Sequence, residues 1–303
     1  CALPICSSAT LLLASVMHGE TNISILVSAR FETDAGYELA LGELKTVLEK
    51  NHYQVVIRYR AKDDPLPGGN KILVGDVEQD GEAGQSALQN EAYRISPVRE
   101  QKSNVLKIEG DERGGMYGVF KLAEQLQLGK PLWDITLEAA PEFSRRMYTE
   151  LGQLYDFPSV GYHLFEEPWV NHQRLEEEKA ELKRLIDQVA KLGFNSFTLM
   201  HVNFEDYITY KYLDQEVYGP DDVHRIKAKH FAKHLTDIVD YAHDRHIDVF
   251  MQVYEFQYPP RLGDLYKLDL EGPDMQTIIE AKDRKSTRLN SSHSSVSRMP
   301  SSA

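Results

Sequence analysis

The stretch Lys191–Glu205, KLGFNSFTLMHVNFE, constrains the chain more than any other. A helix ending at Gly193 is expected to pass into a buried strand from about Asn195 to Met200, with His201, Asn203 and Glu205 at the strand's C-terminal mouth. Phe197, Thr198, Leu199, Met200 and Val202 form an apolar, partly β-branched run that suits a strand covered on both faces. A helix and strand with polar residues gathered at the strand's exit is how a (β/α)8 barrel presents its chemistry. The pattern restricts the chain to α/β architectures and points to an enzyme.

The same unit recurs on either side. Arg146–Leu151 reads as a first strand, and Leu175–Leu192 as an amphipathic helix with Leu182, Leu185, Ile186 and Val189 inward. A second helix is expected over Ile226–Arg245. A third strand, Ile247–Val253, carries Tyr254, Glu255, Phe256, Gln257 and Tyr258 past its end, before Pro259 and Pro260 break the chain. The order is β–α–β–α–β, with long loops after strands one and two that suit a binding surface. The loop 155–171 holds Tyr155, Phe157, Tyr162, Phe165 and Trp169, rings able to stack on a ligand or to anchor the loop. A full barrel needs roughly 250 residues, and Arg146–Ala281 supplies little more than half of that. Strands four to eight are expected to be missing, with strand three left as an open edge.

A smaller domain precedes this one. Strands are expected at Asn22–Ser28, Tyr53–Tyr59, Lys71–Val74, Glu91–Ser96 and Val105–Glu109. Between the first two lies a helix capped by Thr33 or Asp34 and buried through Leu41, Leu44 and Leu48. Asp111 can cap a second helix in Gly110–Leu128, whose stripe is Met116, Val119, Phe120, Ala123 and Leu126. Gly114, Gly115 and Gly118 let that helix approach another backbone closely. A phosphate cradle is disfavoured, because the Gly-x-Gly-x-x-Gly spacing and the Lys-Ser/Thr pair are missing. The expected organisation is a small α/β (α+β) domain over 22–130, a linker over 131–144 and a partial TIM barrel over 145–281.

The totals agree with two globular domains. The chain has 303 residues, of which 42% are hydrophobic and 27% charged. A formal net charge of −13 argues against a nucleic-acid partner. The two cysteines, Cys1 and Cys6, leave no disulfide framework or cysteine zinc site in the folded part. Ala9–Met17 is too short to span a bilayer. It reads as the core of a secretory signal within residues 1–21, the alternative being an apolar arm packed on the domain, and it predicts a secreted, periplasmic or cell-surface protein. The Ser-rich stretch 282–303 has no apolar period and the character of appended adapter or vector sequence, so disorder is expected there.

Candidate chemistry lies at the strand exits. Glu150 and Glu255 sit near the ends of strands one and three, and His201, Asn203, Glu205 and Asp206 follow strand two. Glu150, Glu205 and Glu255 are the catalytic candidates, because two carboxylates flanking a glycosidic bond can serve as acid and as nucleophile or base. Each is also an ordinary sugar-hydroxyl ligand or loop cap. His201, Glu205 and Glu255 do not follow the His-Glu-x-x-His order, and most other histidines sit around the second helix. Neither a metal nor a cofactor is expected.

One likeness is specific. The segment GDERGGMYGVFKLAEQL at 110–126 resembles the end of the small N-terminal domain of family 20 β-hexosaminidases, and equally that of α-glucuronidases. Those proteins continue, as here, through a Pro-x-Phe-x-x-Arg lead into a (β/α)8 barrel: Pro141, Phe143 and Arg146. Asn195 and His201 are similar to the hexosaminidase strand-two pattern but one position off its spacing, and Asn203–Asp206 replaces its Asp-Asp end. Ala242, Ile247, Val249 and Glu255 resemble the Ala-x-x-x-Gly-Ile-x-Val-x-Pro-Glu stretch, with His246 in place of Gly and the Pro missing. The resemblance implies that Arg146, His201, Asn203 and Glu255 line a sugar-binding pocket. It also implies that the hexosaminidase Asp-Glu pair lies beyond strand four, outside this sequence. The resulting expectation is the N-terminal fragment of a glycoside hydrolase acting on an oligo- or polysaccharide, inactive by itself. The alternatives are a non-catalytic carbohydrate-binding protein and a barrel hydrolase of another class.

Overall fold

The computed structural model describes residues 21–61, 64, 66–75, 88–100, 103–149, 172–199, 211–212, 215–216, 219, 221 and 223–251. The chain forms two units, Cys1–Glu142 and Phe143–Ala303.

The first unit is a six-stranded mixed sheet with two helices. Its elements are β1 (Thr21–Ser28), α1 (Ala35–Lys50), β2 (Tyr53–Arg60), β3 (Lys71–Val74), β4 (Tyr93–Glu100), β5 (Ser103–Gly110), α2 (Glu112–Gln127) and β6 (Leu137–Ala139). The sheet order is β2-β1-β3-β5-β4-β6. β1 runs parallel to β2 and β3, and β3 parallel to β5, whereas β4 is antiparallel to β5 and β6. Alternate strand residues Ile23, Ile25, Val27, Ile72, Val74, Leu106 and Ile108 meet α1 and α2 in one core, so both helices cover the same face. The opposite face carries a smaller cluster of Leu26, Leu73 and Val105.

Both helices start on the expected caps. Asp34 accepts the Tyr37 backbone N–H at 2.9 Å and Asp111 that of Gly114 at 2.7 Å, each satisfying an orphan donor of a first turn. The second oxygen of Asp111 accepts the Glu91 N–H at 2.6 Å, tying α2 to the start of β4. The glycines of α2 are explained by close packing. A Cβ on Gly114 would sit 2.1 Å from the Ala92 carbonyl oxygen, and one on Gly118 2.6 Å from Ile108 Cγ2.

Two details depart from the sequence expectation. β4 begins at Tyr93 rather than Glu91, whose φ of 62° places it in the left-handed region. It then continues through Pro97, because β6 pairs only with Tyr93–Ile95 and a missing N–H is tolerated where one ladder has ended. The β6 residues themselves fall in the segment expected to be a linker, and they extend the first sheet.

Among the described residues the second unit holds β7 (Met147–Thr149), α3 (His172–Lys191), β8 (Ser196–Leu199), a short antiparallel pair of β9 (Lys211–Tyr212) and β10 (Gln215–Glu216), α4 (Val223–His243) and β11 (Asp248–Met251). β7 and β11 both run parallel to β8, in the order β11-β8-β7. Successive strands are therefore neighbours and the sheet grows in one direction. Phe197 and Leu199 share a core with Leu182, Ile186 and Val189 of α3 and with Leu235, Ile238 and Ala242 of α4, so both helices lie on one face. The molecule is thus a mixed α/β protein rich in parallel pairing.

Candidate functional site at the strand ends

The three parallel strands of the second unit share an inlet edge and an exit edge, and the inlet edge is fixed first by Asn195. Its side chain, 3% exposed, accepts the Arg146 backbone N–H on Oδ1 at 2.9 Å and donates from Nδ2 to the Ser144 carbonyl at 2.7 Å. The Ser196 hydroxyl also donates to Oδ1, at 3.1 Å. The main chain completes the knot, with the Asn195 and Ser196 N–H groups donating to the Arg146 carbonyl and the Asp248 N–H to the Asn195 carbonyl. One residue thereby sets the starts of β7, β8 and β11. The chain reaches it from α3 by a tight C-terminal turn. Gly193, at φ 79°, donates to Ala190 O and Phe194 to Val189 O, the pattern of a Schellman cap.

Arg146 lies at this inlet edge. Its Nε donates to the Gly193 carbonyl at 2.6 Å and Nη1 to that of Phe143 at 2.9 Å. These bonds tie its guanidinium to backbone at the N-terminal ends of the strands. The other expected site residues, Glu150, His201, Asn203, Glu205 and Glu255, lie outside the described residues, as does Asp206. Their place in the chain follows from the strands. β7 ends at Thr149, immediately before Glu150; β8 ends at Leu199, two residues before His201; β11 ends at Met251, four before Glu255. Thr149 pairs with Thr198 and Leu199 with Met251, so the chain leaves all three strands at one edge.

The face of the sheet turned away from the helices is more polar in its central strand. Ser196 and Thr198 are buried there, and the Thr198 hydroxyl has no hydrogen-bond partner among the described residues. On the same face Arg145 stacks on the Phe250 ring, 4.6 Å from its centroid.

Two charged clusters join α3 to α4. In one, Tyr241 Oη donates to Asp187 at 2.9 Å, Arg245 Nε donates to the same carboxylate, and the Arg245 guanidinium lies 3.4 Å from the Tyr241 ring centroid. Burial, reinforced by the bond to Asp187, pushes the Tyr241 phenol up to about 12. In the other, Lys179 bridges Glu176 and Asp237. The hydrogen bond from Lys179 is the main cause holding both carboxyls below their usual range. The signal missed in the sequence was acid and base recurring at the same helical face of two helices, Asp187 with Arg245 and Lys179 with Asp237.

No protein-family model matches the chain. No curated protein sequence matches it either. Among solved structures the fold has a distant likeness. A GH138 enzyme described as targeting pectin rhamnogalacturonan II is similar over 82% of this chain, with a TM-score of 0.51 and 15% sequence identity. The chain spans 26% of the length of that enzyme. Among the described residues, no helix is long and apolar enough to cross a membrane.

Proposed function

We propose that this chain is the N-terminal part of a secreted glycoside hydrolase. In this reading the first unit is an accessory α/β domain. The second is the opening of a (β/α)8 barrel, comprising strands one to three and their two helices. The observation that carries the reading is the sheet order of the second unit. Three parallel strands follow one another in sequence with both connecting helices on one face, the repeat from which a barrel closes and one that half of a doubly wound sheet shares. Likeness to a GH138 enzyme across most of this chain supports the same reading.

Barrel enzymes place their chemistry at the C-terminal ends of their strands. The proposal therefore keeps Glu150, His201, Asn203, Glu205 and Glu255, all downstream of such ends, as sugar-contacting or catalytic groups. Arg146 is retained as a site residue only through the family likeness, and its two bonds at the inlet edge support a bracing role instead. The substrate is an oligo- or polysaccharide; N-acetylhexosaminides, glucuronides and pectic uronides are the classes to try. One carboxylic acid would protonate the leaving oxygen while a carboxylate attacks the anomeric carbon or activates water.

The test is to read the source DNA across codons 281–285 with long reads and to express what it encodes. A continuation into about five more strand–helix repeats, with acidic residues after strand four, supports the proposal. A frame that ends at Ala303 and binds glycans without cleaving them supports the carbohydrate-binding alternative.

A further inference from the structure

The Glu176–Lys179–Asp237 cluster contains a fourth member, His234, whose position is not explained by packing alone. His234 is 8% exposed on the face of α4 that meets α3. Its Nδ1 lies 3.3 Å from Glu176 Oε1, within ion-pair distance but out of line for a hydrogen bond. Glu176 also receives Lys179 at 2.8 Å, and Lys179 reaches across to Asp237 at 3.2 Å. The described charged groups around the imidazole are Glu176 and Lys179 from α3 and Asp237 from its own helix. Lys183 of α3 acts on Asp237.

Charge balance gives the cluster its character. Glu176 and Asp237 face Lys179, with Lys183 acting on Asp237, so Glu176 is the carboxylate on which a charge gained by the imidazole acts most directly. Histidine is the one member whose ordinary pKa of about 6.5 lies near neutrality. A neutral imidazole offers the Glu176 carboxylate no charge, whereas an imidazolium places a positive charge within ion-pair distance of it.

We propose that His234 makes the α3–α4 contact a pH-sensitive clasp, tightened when the imidazole takes up a proton and loosened when it gives it up. The sign follows from linkage. A cation gaining a partner on folding adds stability that is present at low pH and lost as pH rises through the histidine range. The carboxylates act oppositely: with their pKa values held down, their contribution is lost only as pH falls through the acid range. The clasp is therefore tightest between the two, at about pH 5 to 6. Its neighbours Leu182 on α3 and Leu235 on α4 belong to the core over β8, so loosening is felt there first.

Hydrogen exchange of the full chain at pH 5.5 and 8.0, corrected for intrinsic rates, tests this. Protection of α3 and α4 is expected to fall about 3- to 10-fold more on raising the pH than protection of α1, which serves as an internal reference. H234Q is expected to remove that excess. E176Q, at a side chain more than half exposed, is expected to remove it too and guards against a folding failure at position 234. An excess that persists in both variants, or its absence from the wild-type chain, overturns the proposal.

Discussion

Replacing Asn195 by alanine should unfasten the second unit while leaving the first untouched. The change deletes three side-chain hydrogen bonds, two of which engage backbone groups, Arg146 N–H and Ser144 C=O. Each bond contributes a net of about 0.5–1.5 kcal/mol, and a donor left unpaired in a buried site costs about 1–3 more. Because the Arg146 N–H is only partly buried, the low end of that penalty applies and the expected loss is about 2.5–5.5 kcal/mol. Ser196 supplies the control. Its hydroxyl makes just one of the three bonds, so S196A should cost about 0.5–1 kcal/mol. The assay is denaturant-dependent hydrogen exchange read on Ser196–Leu199, with β1 and β3 of the first unit as reference. Equal and small losses for N195A and S196A would refute the idea that one side chain holds the strand starts together. So would a loss spread over both units.

Four further outcomes follow from the same geometry. Gly193→Ala should destabilise the second unit by about 1–2 kcal/mol in thermal unfolding. The position has a φ of 79° and open space around it, so backbone strain is the whole effect. Gly114→Ala should do worse in the first unit, by about 3 kcal/mol or more, because the added methyl meets the Ala92 carbonyl and either α2 or β4 must move. Tyr241→Phe should cost about 1 kcal/mol at neutral pH, a charge-assisted bond discounted for exposure. With the phenol raised to about 12, the wild type should lose that stability between about pH 10 and pH 12, whereas the phenylalanine variant should lack this alkaline step in a pH-dependent melt. Glu138→Gln should leave thermal stability nearly unchanged, since its bond to Arg94 is solvent-exposed.

Local signals in the sequence were reliable guides to local structure. Asp34 and Asp111 could be read as caps because a side-chain oxygen before an amphipathic run has one obvious partner, the N–H three residues on. The glycines of α2 could be read as a close approach, though not as one to Ala92. What escaped reading was the side-chain interactions that join residues distant in the chain. Asn195 was visible as the start of a strand, but its bonds to Ser144 and Arg146 reach back 51 and 49 residues. The Lys179–Asp237 and Asp187–Tyr241 contacts likewise span 58 and 54 residues. A proline such as Pro97 ordinarily ends a strand, and only the shortness of β6 beside it explains why this one does not. Of the expected site residues, only Arg146 lies among the described ones. The family resemblance that implied a sugar contact there does not reveal which end of the strand its guanidinium serves.

Release of reducing sugar by the protein that the source DNA encodes tests the central claim most directly. The substrates are aryl N-acetylhexosaminides, aryl glucuronides and pectic oligosaccharides. The account predicts cleavage of at least one class, with activity reduced at least about 100-fold by amide replacement of the acid that protonates the leaving oxygen, whether it follows strand four or is one of Glu150, Glu205 and Glu255. Saturable glycan binding with no cleavage of any class, in the wild type and all three variants, would contradict it.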